Sequence, residues 1–488
     1  MNGASRALAR GTLLSVTLRW FIKAMGLIST IILVRFLTPE DYGIIVMAML
    51  VIGLVEIFFL TSADTALLRS LDSSDAIVNS AWTLRLIQAV LVAVIVALLA
   101  PFAAQYFAEP RIVPVMVTLG FGIVLAALAN IGPVLARKNL EFGLEVKIGV
   151  ASKVVSFVFT IVAAYILRSY WALVIGTYVG HLASIFFSYK YHPYRPRWDL
   201  SRVPELWRFS QWLLVSGIGT FLGKKADELI LGRVGDATSL GIYSVASEIG
   251  QTITLEIGGP INRSMFPVLS SMQKAKAESL ALFFSTLGSI NTFTIPVGIG
   301  MSVLALPFTL VVLGVNWRGV VPLLEIFALQ GAVRFLVSPY HVWFMVAGQT
   351  RLLALMSWLE LAAFLCIAAF TYQHGVLGLA WAKWWTTVVV VMIWIILGKR
   401  QGLTLTALVR VIHRPLLAGS AMAVVLVGMS TSANITNPLV ELLLMSALGA
   451  VSYLATIAVI WAVSGRPDGI ERWVVQRLST MWHRRDSA

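Results

Sequence analysis

Apolar residues in this chain come in runs of about 20, the length a helix needs to cross the ~30 Å hydrocarbon core of a bilayer. The runs recur from Gly11 almost to Gly465. The breaks between them predict spans at 11–36, 42–67, 76–100, 112–136, 146–167 and 170–190, then at 206–232, 238–266, 279–306, 319–346, 352–372 and 376–398, and finally at 409–430 and 438–463. The pattern predicts an all-α polytopic membrane protein with about 14 transmembrane helices. No polar gap is long enough for a folded extramembrane domain. The first run is too long for a signal-peptide core and has no small-residue cleavage site after it, so it is expected to be a span.

The longest polar connection, Tyr189 to Trp207 (YKYHPYRPRWDLSRVPELW), is rich in proline and basic residues and separates six predicted spans from the next six. It is expected to be a cytoplasmic linker. An internal repeat crosses it: Leu33 to Ala48 (LVRFLTPEDYGIIVMA) aligns without gaps on Leu231 to Ala246 (LGRVGDATSLGIYSVA), 198 residues apart. Leu33, Arg35, Gly43, Ile44 and Ala48 match Leu231, Arg233, Gly241, Ile242 and Ala246. With six spans between the copies, the two halves share one orientation, which implies a pseudo-twofold axis along the membrane normal. The expected organisation is a six-helix lobe over 1–190, a linker over 191–205, a second six-helix lobe over 206–400, two additional helices over 401–465 and an amphipathic cytoplasmic tail over 466–488. In that tail Ile470, Trp473, Val474, Leu478, Met481 and Trp482 share one helical stripe.

Composition agrees with a membrane chain: 58% of the 488 residues are hydrophobic and 12% charged, against about 25% charged in soluble domains. The net charge of +14 is spread over short loops, which argues for topology and against nucleic acid. Alternate loops and the termini hold 23 Lys and Arg residues, and the opposite loops hold five, Arg35, Arg111, Arg168, Arg233 and Arg318. By the positive-inside rule both termini are cytoplasmic. The single cysteine, Cys366, and six scattered histidines offer no disulfide framework or metal-ligand spacing, and no Gly-rich phosphate loop is present. No cofactor, metal or catalytic constellation is expected.

Charges inside the spans change the picture. Nine basic residues fall there: Arg19, Lys23, Arg85, Lys153, Lys224, Lys225, Arg263, Arg334 and Lys383. Glu56, Asp64, Asp227, Glu228, Glu248, Glu256, Glu325 and Glu360 join them. Each costs at least about 2.5–3.5 kcal/mol at the bilayer centre, so such groups face a bundle interior or a wet cavity. Arg19 and Lys23, four apart, share a face and are the leading candidates for an anion contact, the alternative being that one snorkels or pairs with an acid of the second span. Lys224, Lys225, Asp227 and Glu228 occupy little more than one turn, where cavity lining competes with mutual neutralisation. Arg85, Arg263 and Arg334 carry guanidinium groups suited to phosphate. Glu56, Asp64, Asp227, Glu248 and Glu256 are candidates for ion coupling, although Glu248 and Glu256 are equally suited to pairing with Arg263 or a lysine. Lys153 and Lys383 are expected near span ends. Gly258, Gly259 and Pro260 are expected to break span eight, Pro296 span nine, and Pro322 and Pro339 span ten.

The segments LVRFLTPEDYGIIVMA, DELILGRVGDATSLGIYSVA (Asp227 to Ala246), INRSMFPVLSSMQ (Ile261 to Gln273) and the stretch from Trp317 through Gly348 to Arg351 resemble Wzx-like polysaccharide-unit flippases, the polysaccharide transporter branch of the MOP superfamily. The resemblance covers most of residues 10–400. It implies two six-helix lobes working by alternating access, a cationic cavity carried onto Arg19, Lys23, Arg85 and Arg263, and an undecaprenyl-pyrophosphate-linked oligosaccharide as substrate. Membrane lipids, a polysaccharide polymerase and export machinery are the implied partners. The competing expectations are a cell-wall precursor flippase, a multidrug-type cation-coupled antiporter of the same superfamily, and a membrane polymerase or ligase. The tiny outward loops argue against that last class.

Overall fold

The computed structural model describes residues 21–22, 25–26, 28–59, 67, 74–138, 141–272, 275–432 and 435–465. Among them the regular structure is helical, with no strand. Eight described helical stretches are long and apolar enough to cross a membrane, or up to nine if a bent pair counts as one span. The chain forms two compact units, Met1–Gly241 and Ile242–Ala488. The predicted tail lies outside the described residues, as do Arg19, Lys23 and Asp64.

The first unit contains α1 (Pro39–Phe59), α2 (Asp75–Phe107), α3 (Ile112–Ala127), α4 (Gly132–Lys138), α5 (Phe142–Leu167), α6 (Trp171–Tyr191) and α7 (Val203–Val234). Lipid, not water, is the solvent for much of this surface. On α5 the exposed stripe Val158, Val162 and Ile166 follows the i, i+4 spacing of one helix face. Where helices meet, small residues bring backbones together. Gly176 and Gly180 of α6 sit over Thr160 and Ser156 of α5, and the Ser156 hydroxyl donates to the Gly176 carbonyl at 2.8 Å.

Span four is broken. The axes of α3 and α4 differ by 58° across residues 128–131, and Asn130 organises the break. Its Oδ1 accepts from Gly132 N at 2.8 Å, its Nδ2 donates to the Tyr194 carbonyl at 2.7 Å, and its own N–H reaches the Ser188 hydroxyl at 3.0 Å.

The linker is an ordered strap. Residues 192–200 run without regular structure along the start of α2 and end in a turn at 201–202, and three polar side chains within little more than one turn of α2 capture the amides of this segment. Asn79 Oδ1 accepts from Arg197 N at 2.9 Å, Thr83 Oγ1 from Asp199 N at 3.0 Å and Ser80 Oγ from Arg202 N at 3.1 Å. The Tyr194 hydroxyl adds a bond to Asn79 at 2.8 Å. Past the strap, α7 packs against α1 and α2 inside the first unit.

The two copies of the repeat open their helices alike. Thr38 and Asp41 form a capping box on α1: Thr38 N donates to Asp41 Oδ2 at 2.9 Å and Asp41 N to Thr38 Oγ1 at 3.2 Å. At the matching positions Asp236 caps α8 (Ala237–Ser271), accepting from Ser239 N at 2.8 Å. The matched glycines then touch. Gly43 and Gly241 are buried, and a Cβ on Gly43 would run into the Ala237 carbonyl oxygen, while one on Gly241 would run into the carbonyl oxygen of Pro39 and lie 2.9 Å from Gly43 N. Ala237 is the repeat counterpart of Pro39, so the contact is reciprocal.

The second unit contains most of α8, then α9 (Lys276–Val303), α10 (Val321–Arg334), α11 (Ser338–Val346), α12 (Thr350–Thr371), α13 (Gly375–Lys399), α14 (Leu405–Ser432) and α15 (Pro438–Val463). The expected break at Gly258, Gly259 and Pro260 is absent, because α8 continues through them. Pro296 lies within a continuous α9. Span ten is interrupted between Arg334 and Ser338, yet Pro322 and Pro339 sit in the first turns of α10 and α11. There a missing N–H costs nothing, so these prolines start helices and do not kink them.

Candidate functional site

The predicted site residues divide between the units. In the first, Arg85 lies on α2 and points its guanidinium at the broken span four, donating to the carbonyls of Ala127, at 3.1 Å, and Ala129. The first ends α3 and the second lies in the break just past it, and a cation there also meets the negative end of the helix dipole. The break supplies a structural partner for this charge that the apolar pattern of 112–136 did not reveal.

On α7, Asp227 and Glu228 are buried to 2% and 4% relative exposure. The Lys225 ammonium reaches Glu228 Oε1 at 2.6 Å, one turn on, so that part of the cluster is an internal ion pair. Lys224 is exposed beside it, and Glu56 is half-buried on α1. Lys153 and Lys383 are not at helix ends. Lys153 is half-buried within α5, and Lys383 is buried within α13 with its ammonium 5.5 Å from the Phe364 ring centroid. In the second unit Glu248 is exposed on α8, and the side chains of Glu256 and Arg263 lie outside the described part. Arg334 ends α10 and pairs with Glu360 of α12 at 3.1 Å.

At the loop end of the first unit that carries Arg35, Arg111, Arg168 and Arg233, charges are tied together. Arg111 pairs with Glu40 and with Glu109 at 2.7 Å. Its hydrogen bond holds the Glu109 carboxyl below its ordinary value of 4.5. Arg233 donates to the Tyr106 carbonyl at 3.2 Å and lies over the Tyr106 ring. On the strap, burial and the Arg195 charge lower the pKa of His192, whose Nδ1 accepts from Tyr194 N at 3.1 Å.

A strongly apolar feature belongs to the two additional helices. A cavity of about 640 Å³ lies among α9, α14 and α15, walled by Phe293, Pro296, Met422, Met445, Gly449 and Leu454. Of its polar groups, the Tyr453 hydroxyl donates to the Thr292 carbonyl at 2.7 Å. Such a groove accepts hydrocarbon and offers nothing to a headgroup. The sequence marked α14 and α15 only as extra spans; Gly449, which faces Leu426, lies in the wall of the groove.

A bundle of apolar helices with partnered charges within it is the architecture of a multi-pass membrane transporter. Its fold is similar to that of the Lipid II flippase MurJ in an inward closed conformation, with a TM-score of 0.74 over 93% of this chain and 100% of that one at 12% identity. A model described as polysaccharide biosynthesis protein matches residues 32–322, and the chain belongs to that family. The Lipopolysaccharide biosynthesis protein WzxC of Escherichia coli (strain K12) is 22% identical over 326 residues. That match spans 65% of this chain and 65% of the relative, just under two thirds of its length. The Teichuronic acid biosynthesis protein TuaB of Bacillus subtilis (strain 168) is 25% identical over 399 residues, 80% of this chain and 82% of that one. The resemblance to Wzx-like flippases read from the motifs is thereby borne out.

Proposed function

We propose that this chain is a non-enzymatic flippase that turns undecaprenyl-pyrophosphate-linked oligosaccharide units across the bacterial inner membrane for exopolysaccharide, capsule or O-antigen synthesis. The observation that carries the reading is the apolar cavity among α9, α14 and α15, a place for polyprenyl chain in a transporter of the polysaccharide family. The chain crosses the membrane 14 times with both termini cytoplasmic. Its two lobes alternate access, and Arg19, Lys23, Lys224 and Arg263 set a cationic potential for the pyrophosphate, while Lys225 and Arg334 are paired with Glu228 and Glu360 and Arg85 braces the broken span. Direction comes from an ion gradient acting on Glu56, Asp64, Asp227, Glu248 or Glu256, or from consumption of the product by a polymerase and export machinery.

The test is genetic and chemical. Deletion of the gene is expected to leave lipid-linked repeat units on the cytoplasmic leaflet and to remove the surface polysaccharide. Normal surface glycan after deletion refutes the reading. The likeness in fold to a Lipid II flippase favours a cell-wall precursor as the second reading, and in that case the accumulating lipid carries a peptidoglycan unit.

A further inference from the structure

A second cavity, of about 320 Å³, lies wholly within the second unit among α8, α10, α11, α12 and α13. That is the low end of the range of about 300–1,000 Å³ typical of small-molecule sites. Its polar groups are of both kinds. Arg334 and Glu360 enter as a pair 3.1 Å apart, so donors and acceptors stand side by side while their charges cancel. Asn262 adds an amide whose Nδ2 is given to Ser338 Oγ and whose Oδ1, buried, has no hydrogen-bond partner among the described residues. His341 and Ser357 contribute an imidazole and a hydroxyl, and Met356 and Trp394 form an apolar wall.

The chemistry excludes the alternatives in turn. A phosphate or pyrophosphate would face the Glu360 carboxylate. A metal would need ligands, and the described residues hold no group of three or more His, Cys, Asp or Glu that could supply them. Hydrocarbon would leave the Asn262 oxygen without a partner and the remaining donors and acceptors of the ion pair unused in a dry site. The ligand that satisfies all of these groups is neutral, carries several hydroxyls able to donate to Asn262 Oδ1 and Glu360 and to accept from Arg334, and has an apolar C–H face for Met356 and Trp394. We propose that the pocket seats a neutral sugar ring of the cargo, an inference that rests on the flippase reading and gives the second unit a share in choosing the saccharide. The residues come from two of the segments singled out in the sequence, Ile261 to Gln273 and Trp317 to Arg351, which the fold brings together with α12 and α13.

The experiment uses the full chain in lipid nanodiscs and reads saturation-transfer NMR on free glucose, galactose, mannose and N-acetylglucosamine. At least one sugar is expected to give a signal that inorganic pyrophosphate does not displace. Asn262→Leu and His341→Leu are each expected to weaken binding by about tenfold or more, the loss of one or two hydrogen bonds to a buried ligand. His341 is exposed, so its variant keeps the test decisive if Asn262→Leu does not fold. No signal from any sugar, a signal that survives in His341→Leu, or displacement by pyrophosphate overturns the proposal. A chain that binds sugar while its deletion leaves surface glycan intact keeps this pocket and loses the flippase reading. A chain whose deletion strands lipid-linked units but which binds no sugar does the reverse.

Discussion

Replacing Gly43 by alanine puts a single methyl group where the two copies of the repeat meet. The new Cβ would overlap the Ala237 carbonyl oxygen and come within 2.9 Å of Ala237 Cα. Both are backbone atoms, so no side chain can swing away and the helix starts themselves must part. Overpacking of this kind costs about 1–3 kcal/mol, while alanine regains about 0.8–1 kcal/mol of helix propensity over glycine. A net loss of about 1–2 kcal/mol is expected, from the upper part of that range because the obstacle is rigid. Gly241→Ala meets the Pro39 carbonyl in the mirror arrangement and is expected to cost the same. One separation relieves both clashes, so the double variant is expected to lose much less than the two singles together. Gly428, with open space where its Cβ would stand in α14, is the control, and Gly428→Ala is expected to be neutral or slightly stabilising. Reversible unfolding of the purified full-length protein by SDS in mixed micelles gives all four values. Additive losses in the double variant, or a Gly43→Ala that behaves like Gly428→Ala, would refute the reciprocal contact.

Gly132→Ala places a Cβ against the His192 ring, 2.6 Å from Cε1, and is expected to lift the strap, which limited trypsin digestion reads as faster cleavage after Arg197. Arg85→Ala removes charged hydrogen bonds to the Ala127 and Ala129 carbonyls and is expected to cost about 1.5–3 kcal/mol in the same SDS unfolding assay. The depressed Glu109 carboxyl stabilises the fold fully above its ordinary value of 4.5 and loses that contribution as pH falls through its lower folded value. Wild type is therefore expected to exceed Glu109→Gln by less than about 1 kcal/mol at neutral pH, and the gap to close in acid; a gap that is constant with pH contradicts the pairing. Gly449→Trp, at the notch of the apolar cavity, is expected to reduce export of surface polysaccharide at unchanged protein abundance, and unchanged export removes the cavity from the lipid path.

What was legible in the sequence followed from periodicities that the fold cannot change. Runs such as 438–463 became helices almost residue for residue, and the aligned repeat pairs Thr38 with Asp236 and Gly43 with Gly241, the positions at which the two helices are capped and touch. Prolines misled because their effect depends on the state of the chain before them. Pro339 follows an interruption and so begins a helix, whereas the run through Pro260 stays helical. The break in span four was hidden because Asn130 sits in an otherwise apolar run, and its bonds go to Ser188 and Tyr194, far along the chain. For the same reason Arg85 was readable as a buried cation but not as a brace. Asn262, Ser338 and His341 carried no signal in isolation, since a polar pocket assembled from five helices has no period.

The strap that leads into α7 has a bearing on how the protein is made. Its anchors Asn79, Ser80 and Thr83 leave the ribosome more than 100 residues before the segment they hold. Membrane chains emerge from the N-terminus onward, so the landing site on α2 exists before its guest arrives. Each amide that docks narrows where the entering α7 can insert. Because the anchors are hydroxyl and amide groups and not ions, the order of assembly is insensitive to the salt around the translating ribosome.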